Sequence, residues 1–102
     1  MSLKYTPGPW KYKLSLETFT IFCEKVGRAI CRKVINENDA RLIAAAPEML
    51  ELLIKRYVDL IKAIPLFEDH NREECMIIID EYKQIIEKAT GMTIEEVLNV
   101  TD

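Results

Sequence analysis

Histidine is nearly missing from this chain of 102 residues, since His70 stands alone. One imidazole leaves no histidine-rich metal set, and its neighbours Glu68, Asp69, Glu73, Glu74 and Cys75 fall in a turn and a helix start. Acidic residues there already serve the helix dipole. Glycine is also scarce, at three residues, which leaves little material for a phosphate-cradling loop. Cys-x-x-Cys, Gly-x-Ser-x-Gly and His-Glu-x-x-His are all lacking. An excess of positive charge is lacking too: 14 basic against 17 acidic residues give a formal charge of −3. Counterion release therefore has no global driving force, and nucleic-acid binding is disfavoured unless the basic residues cluster on one face. No apolar run is long enough to cross a bilayer, and Met1 to Trp10 lacks the pattern of a signal peptide. Three cysteines, an odd number in apolar surroundings, predict no disulfide framework and a reducing cytoplasm.

What is present is a globular composition, 49% hydrophobic and 30% charged, of a length that predicts one domain over 1–102. Thr6-Pro7-Gly8-Pro9-Trp10 forms a stiff opening that no helix accepts. Aromatic and β-branched residues then alternate with polar ones to Ile35, which predicts a three-stranded antiparallel meander over about 10–35. A tight turn at Ser15 to Thr18 pairs Leu14 with Phe19, Tyr12 with Ile21 and Trp10 with Cys23. A three-residue loop, Lys25-Val26-Gly27, with Gly27 left-handed, pairs Cys23 with Ala29 and Ile21 with Cys31. Both turns then put Trp10, Tyr12, Leu14, Phe19, Ile21, Cys23, Ala29 and Cys31 on one apolar face. Lys11, Lys13, Thr20 and Arg32 take the other, together with Phe22 and Ile30.

From about 37 to 64 the spacing predicts a bent central helix, capped by Asn36, Asn38 and Asp39. Leu42, Ala46, Met49, Leu53, Tyr57, Leu60 and Ile64 are expected inward, with Ile43, Leu50, Ile54 and Ile61 widening the face. Pro47 is expected to end or kink the first part of this helix, and Pro65 to close it. Asn71 followed by Glu74 predicts a helix over about 71–89, with Cys75, Ile78, Ile79, Tyr82, Ile85, Ile86 and Ala89 inward and Gly91 as its stop. Thr93 and Glu96 form a second capping box, opening a short helix over about 93–100. The fold class is thus α+β.

Thr6-Pro-Gly-Pro-Trp10, followed after the strands by Asn38-Asp-Ala-Arg-Leu-Ile-Ala-Ala-Ala-Pro-Glu-Met-Leu50, resembles a group of small proteins of tailed bacteriophages and prophages. In that group a Thr-Pro-Gly-Pro-Trp opening and an Asn-Ala-Arg-Leu-Ile-Ala-Ala-Ala-Pro-Glu-Leu-Leu box flank a short β region. Asp39 stands where a small residue is common, and Met49 where leucine is. The resemblance covers the first half of the chain. It implies an origin rather than an activity.

With no catalytic constellation, cofactor motif or metal set in view, the sequence reads as a non-enzymatic phage accessory protein. It is expected to act on itself or on a host or phage protein. Apolar residues beyond what one core absorbs, Phe22 and Ile30 on the sheet and Met76 and Ile77 on the helix at 71–89, are the candidate contact surface. The alternative is a module binding a small anionic ligand such as a nucleotide signal, through Lys11, Lys13, Arg28, Arg32 and Arg41.

Overall fold

The computed structural model describes residues 5–66 and 69–101, and for residues 69, 70 and 101 the backbone alone. Three strands, β1 (Lys11–Ser15), β2 (Thr18–Cys23) and β3 (Arg28–Val34), form an antiparallel sheet in the order β1-β2-β3. Three helices follow, α1 (Glu37–Ala63), α2 (Asp69–Thr90) and α3 (Ile94–Thr101), with a 3-10 turn at Ile64–Leu66 after α1. The fold is α+β, as the patterning requires. The described residues fall into two compact units, 5–49 and 50–101, and α1 contributes to both.

In the first unit the β1–β2 register is the expected one, with Tyr12 opposite Ile21 and Leu14 opposite Phe19. Leu16 and Glu17 make the turn, with φ of 49° and 68°. The β2–β3 register differs from expectation at the hairpin end. Cys23 pairs with Arg28 and Phe22 with Ala29, so the loop holds four residues, Glu24 to Gly27, not three. Gly27 does adopt the left-handed conformation, at φ 66°, and its N–H donates to the Cys23 carbonyl at 2.8 Å. Ile21 still pairs with Cys31, because β3 bulges beside it and regains the register. A second irregularity brings Phe19 opposite Val34, with Lys33 left-handed at φ 60°.

These shifts move two side chains relative to the sequence reading. Ala29 joins Phe22 on the outer side of the sheet. Ile30 goes the other way and packs against the core of Ile21, Ala40 and Ala44, beside Trp10, Tyr12, Phe19, Cys31, Val34 and Ile43. Trp10 and Phe19 therefore share a face, as the alternation demands. Leu14 lies beside the β1–β2 turn and is largely exposed.

The helix α1 continues through Pro47 rather than ending there. Proline removes one helical hydrogen bond, and Pro47 is buried against the opening segment, where a Cβ placed on Gly8 would come within 2.9 Å of its Cβ. Two further hydrogen bonds tie the opening down. The Trp10 Nε1–H donates to the Thr6 carbonyl at 3.1 Å, the Cys23 thiol donates to the Pro7 carbonyl at 3.3 Å, and the Gly8–Pro9 peptide is cis. The two sequence segments that carried the resemblance are thus packed on one another.

The buried line of α1 is Ala40, Ala44, Pro47, Leu50, Ile54 and Tyr57. It is rotated from the expected one, which leaves Leu42, Met49 and Ile61 exposed. Alanines decide the rotation within 37–49, because small side chains let the sheet approach closely and the larger Leu42 is turned away. The Asn36 side chain caps the helix, its Oδ1 accepting from the Asn38 N–H at 2.7 Å.

In the second unit the buried side chains are Leu50, Ile54, Tyr57, Ile79, Ile86, Met92, Ile94 and Val97. The helix α2 begins at Asp69, so Asn71 lies inside it and is not its cap. An acidic residue in a first turn is itself favourable. Gly91 ends α2 at φ 68°, its N–H donating to the Glu87 carbonyl at 2.9 Å. The capping box forms in both directions: the Thr93 Oγ1 accepts from the Glu96 N–H, and Glu96 Oε1 accepts from the Thr93 N–H, each at 3.3 Å. Ile78, Ile85 and Ala89, expected inward, are exposed instead. One helix stripe suffices to meet the neighbouring helices, and Ile79, Ile86 and Thr90 fill it.

Candidate functional site

Strand alternation sends Lys11, Lys13, Thr20 and Phe22 to the side of the sheet opposite the core. Their neighbours there include Ala29, and the bulges on β3 add Arg32 and Lys33. The result is an open trough of about 770 Å3, lined by Lys13, Thr18, Thr20, Phe22, Arg28, Arg32 and Lys33, with Glu24 at one end. Its floor is the half-buried Phe22 ring, with the Lys13 ammonium 5.2 Å from the ring centroid. That is a cation–π distance, so the lysine is held over the sheet by the ring's negative face.

The five cations expected to serve an anion separate into two groups. Lys13, Arg28 and Arg32 converge on this trough. Lys11 is an ion pair with Glu24, at 3.0 Å. Arg41 lies elsewhere, in a shallow depression with Trp10, Tyr12, Ala44, Ala45 and Glu48. Its guanidinium pairs with Glu37 at 2.6 Å, and donates to the Tyr12 hydroxyl at 3.2 Å and to Asn38 Oδ1 at 3.1 Å. The Tyr12 hydrogen bond, then the charges of Tyr12 and Glu37, raise its pKa further and fix it as a cation. Three acceptors from helix and strand make Arg41 a clasp between α1 and β1.

Lys33 lines the trough and was not among the expected cations. Regular alternation after Arg32 would have turned it to the core side. Its left-handed backbone cancels that alternation, and no glycine or asparagine marks the spot. Among the described residues, Lys13, Arg28, Arg32 and Lys33 have no carboxylate at ion-pair distance.

Of the expected contact surface, Phe22 floors the trough and Ile30 belongs to the core side. Met76 and Ile77 are exposed on α2, at 54% and 59%, but point about a hundred degrees apart around the helix. A more continuous stripe runs along Cys75, Ile78, Tyr82, Ile85 and Ala89, at successive spacings of three and four residues. Within it Ile78 and Ile85 are 44% and 52% exposed. The His70 side chain lies outside the described residues. Among those that are described, no three histidine, cysteine or carboxylate side chains gather as metal ligands, and the cysteines at 23, 31 and 75 are free thiols.

A family model described as Salmonella phage P22 protein Y8K6 matches residues 1–93 of the chain. The chain belongs to this phage protein family. No curated protein and no solved structure matches it in the corresponding comparisons. No helix among the described residues is long and apolar enough to cross a membrane.

Proposed function

We propose that this phage protein acts by binding rather than catalysis, and that it self-associates through α2. The supporting observation is the stripe Cys75, Ile78, Tyr82, Ile85, Ala89, which continues the apolar girth of α2 beyond the buried Ile79 and Ile86. Exposed isoleucines one heptad apart are the seam of a helix pair. A second copy of α2 fits this seam in antiparallel alignment. Cys75 then meets Ile85 of the second copy, Ile78 meets Tyr82, and Glu74 lies beside Lys88 at both ends. Glu81 meets its own copy at the two-fold axis, the single repulsive contact of this register. Free thiols at 23, 31 and 75 support a reducing site of action, the cytoplasm of the host cell.

Light scattering coupled to size-exclusion chromatography tests the reading. The wild-type chain is expected to elute as a dimer. Ile78→Glu and Ile85→Glu each remove two copies of a side chain whose burial contributes about 1.5–3 kcal/mol, and should weaken association by roughly a hundredfold or more. Glu81→Gln should strengthen it, an effect specific to this register. A wild-type chain that stays monomeric at high micromolar concentration ends the proposal.

A further inference from the structure

The formal charge of −3 is not spread evenly along the chain. Residues 50–102 carry twelve acidic and six basic side chains, whereas the segment Lys11–Val34 carries six basic and two acidic, a local charge of +4. On the outer face of the sheet Lys13, Arg28, Arg32 and Lys33 gather with no carboxylate partner among the described residues, while the other sheet lysine of the face, Lys11, is neutralised by Glu24. Unneutralised cations confined to one face of a sheet are the electrostatic footprint of a polyanion.

We infer that this face binds single-stranded nucleic acid through its phosphate backbone. Three features select that occupant. The face is an open sheet surface, whereas sites for small ligands enclose most of the ligand. The Thr20 hydroxyl stands among the cations and can donate to a phosphate oxygen, while the Thr18 hydroxyl already donates to the Ser15 carbonyl. The strands present a surface about 20 Å long, which a flexible single strand can follow. Phe22 gives the platform one aromatic ring, already covered by Lys13, so contacts are to phosphate and sequence preference is weak. The inference stands independently of the α2 stripe.

Fluorescence anisotropy of a labelled oligothymidylate, titrated with the full chain over a range of salt, provides the test. Neutralising three or four phosphates gives a log–log salt slope of about −2 to −3. Arg28→Ala, Arg32→Ala and Lys13→Ala alter exposed residues, and each should weaken binding severalfold and flatten the slope by about 0.7. Arg32→Lys should bind almost as the wild type does. Lys62→Ala, an exposed change on α1 in the acidic half, should have no effect. Absence of binding at low salt overturns the inference, as does equal weakening by Lys62→Ala. A matching duplex bound more tightly than the single strand does so too. Displacement of the oligonucleotide by free tripolyphosphate at equal charge concentration would assign the face to a small anion instead.

Discussion

Gly8 is the residue at which the opening segment and the central helix constrain each other. It needs no unusual backbone angle; it needs to have no side chain. A methyl group there would stand 2.9 Å from Pro47 Cβ, and the proline ring is rigid and buried. Gly8→Ala should therefore destabilise the chain by about 1–3 kcal/mol, the usual cost of overpacking. Urea denaturation measures it. Combined with Pro47→Gly, which removes the Cβ that the methyl would meet, the cost should fall well below the sum of the single changes. Additive costs would show that the two residues are not in contact. The individual residues that mislead sequence reading are those whose backbone leaves its regular path. Lys33 at φ 60° has no local mark, since a lysine gives no sign of a left-handed position. One such residue changes which cations share a face, and it places Lys33 in the trough.

At the level of elements, the sheet was readable where a turn fixes it tightly. Two turn residues between Ser15 and Thr18 leave only one way to match Tyr12 with Ile21, and the structure takes it. The next hairpin tolerates a loop of three or four residues, because the bulge beside Ile21 absorbs the difference. That ambiguity is why the sequence pattern puts Ile30 on the outer side, whereas it packs on the core side. Helix α1 shows the complementary difficulty: periodicity reveals an apolar band, but not which line within it a neighbour selects. The sheet selects Ala40 and Ala44, which hydropathy ranks below Leu42. For α2 the same band is wider than its partners can cover, and the uncovered part becomes the proposed dimer seam. The β1–β2 turn itself is improvable. Leu16 and Glu17 both hold positive φ, and Leu16 is 96% exposed, so neither side chain compensates by packing into a core. Replacing them with Asn-Gly, the pair suited to this turn, should stabilise the first unit by about 1 kcal/mol or more. A thermal midpoint that does not rise would show that the turn is not under this strain.

For the molecule as a whole, the net charge of −3 is a sum in which basic strands and acidic helices cancel while remaining apart along the chain. The same distribution bears on alkaline stability through one buried phenol. Tyr57 is only 5% exposed, and burial, the largest influence, raises its pKa above 10. Lys83 opposes the rise, while the charges of Glu95, Glu87 and Asp80 add to it. The sign of the consequence follows from proton counting. Below about pH 10 the phenol is protonated in the folded and the unfolded chain alike, so it contributes no pH dependence. Above that pH the unfolded chain releases the proton while the folded chain retains it, and stability falls until the folded pKa is passed. Tyr57→Phe keeps the ring and removes the titration, so its melting temperature should drop less than that of the wild type between pH 8 and the alkaline range above pH 10. Lys83→Ala removes a charge that favours ionisation, and should make the alkaline drop steeper while leaving Tyr57→Phe/Lys83→Ala close to Tyr57→Phe alone. Equal alkaline losses in the wild type and Tyr57→Phe would locate the sensitivity in other groups. Scanning calorimetry of the three variants and the wild type, each at constant ionic strength, separates this titration from the general repulsion that high pH imposes on a chain with an excess of carboxylates.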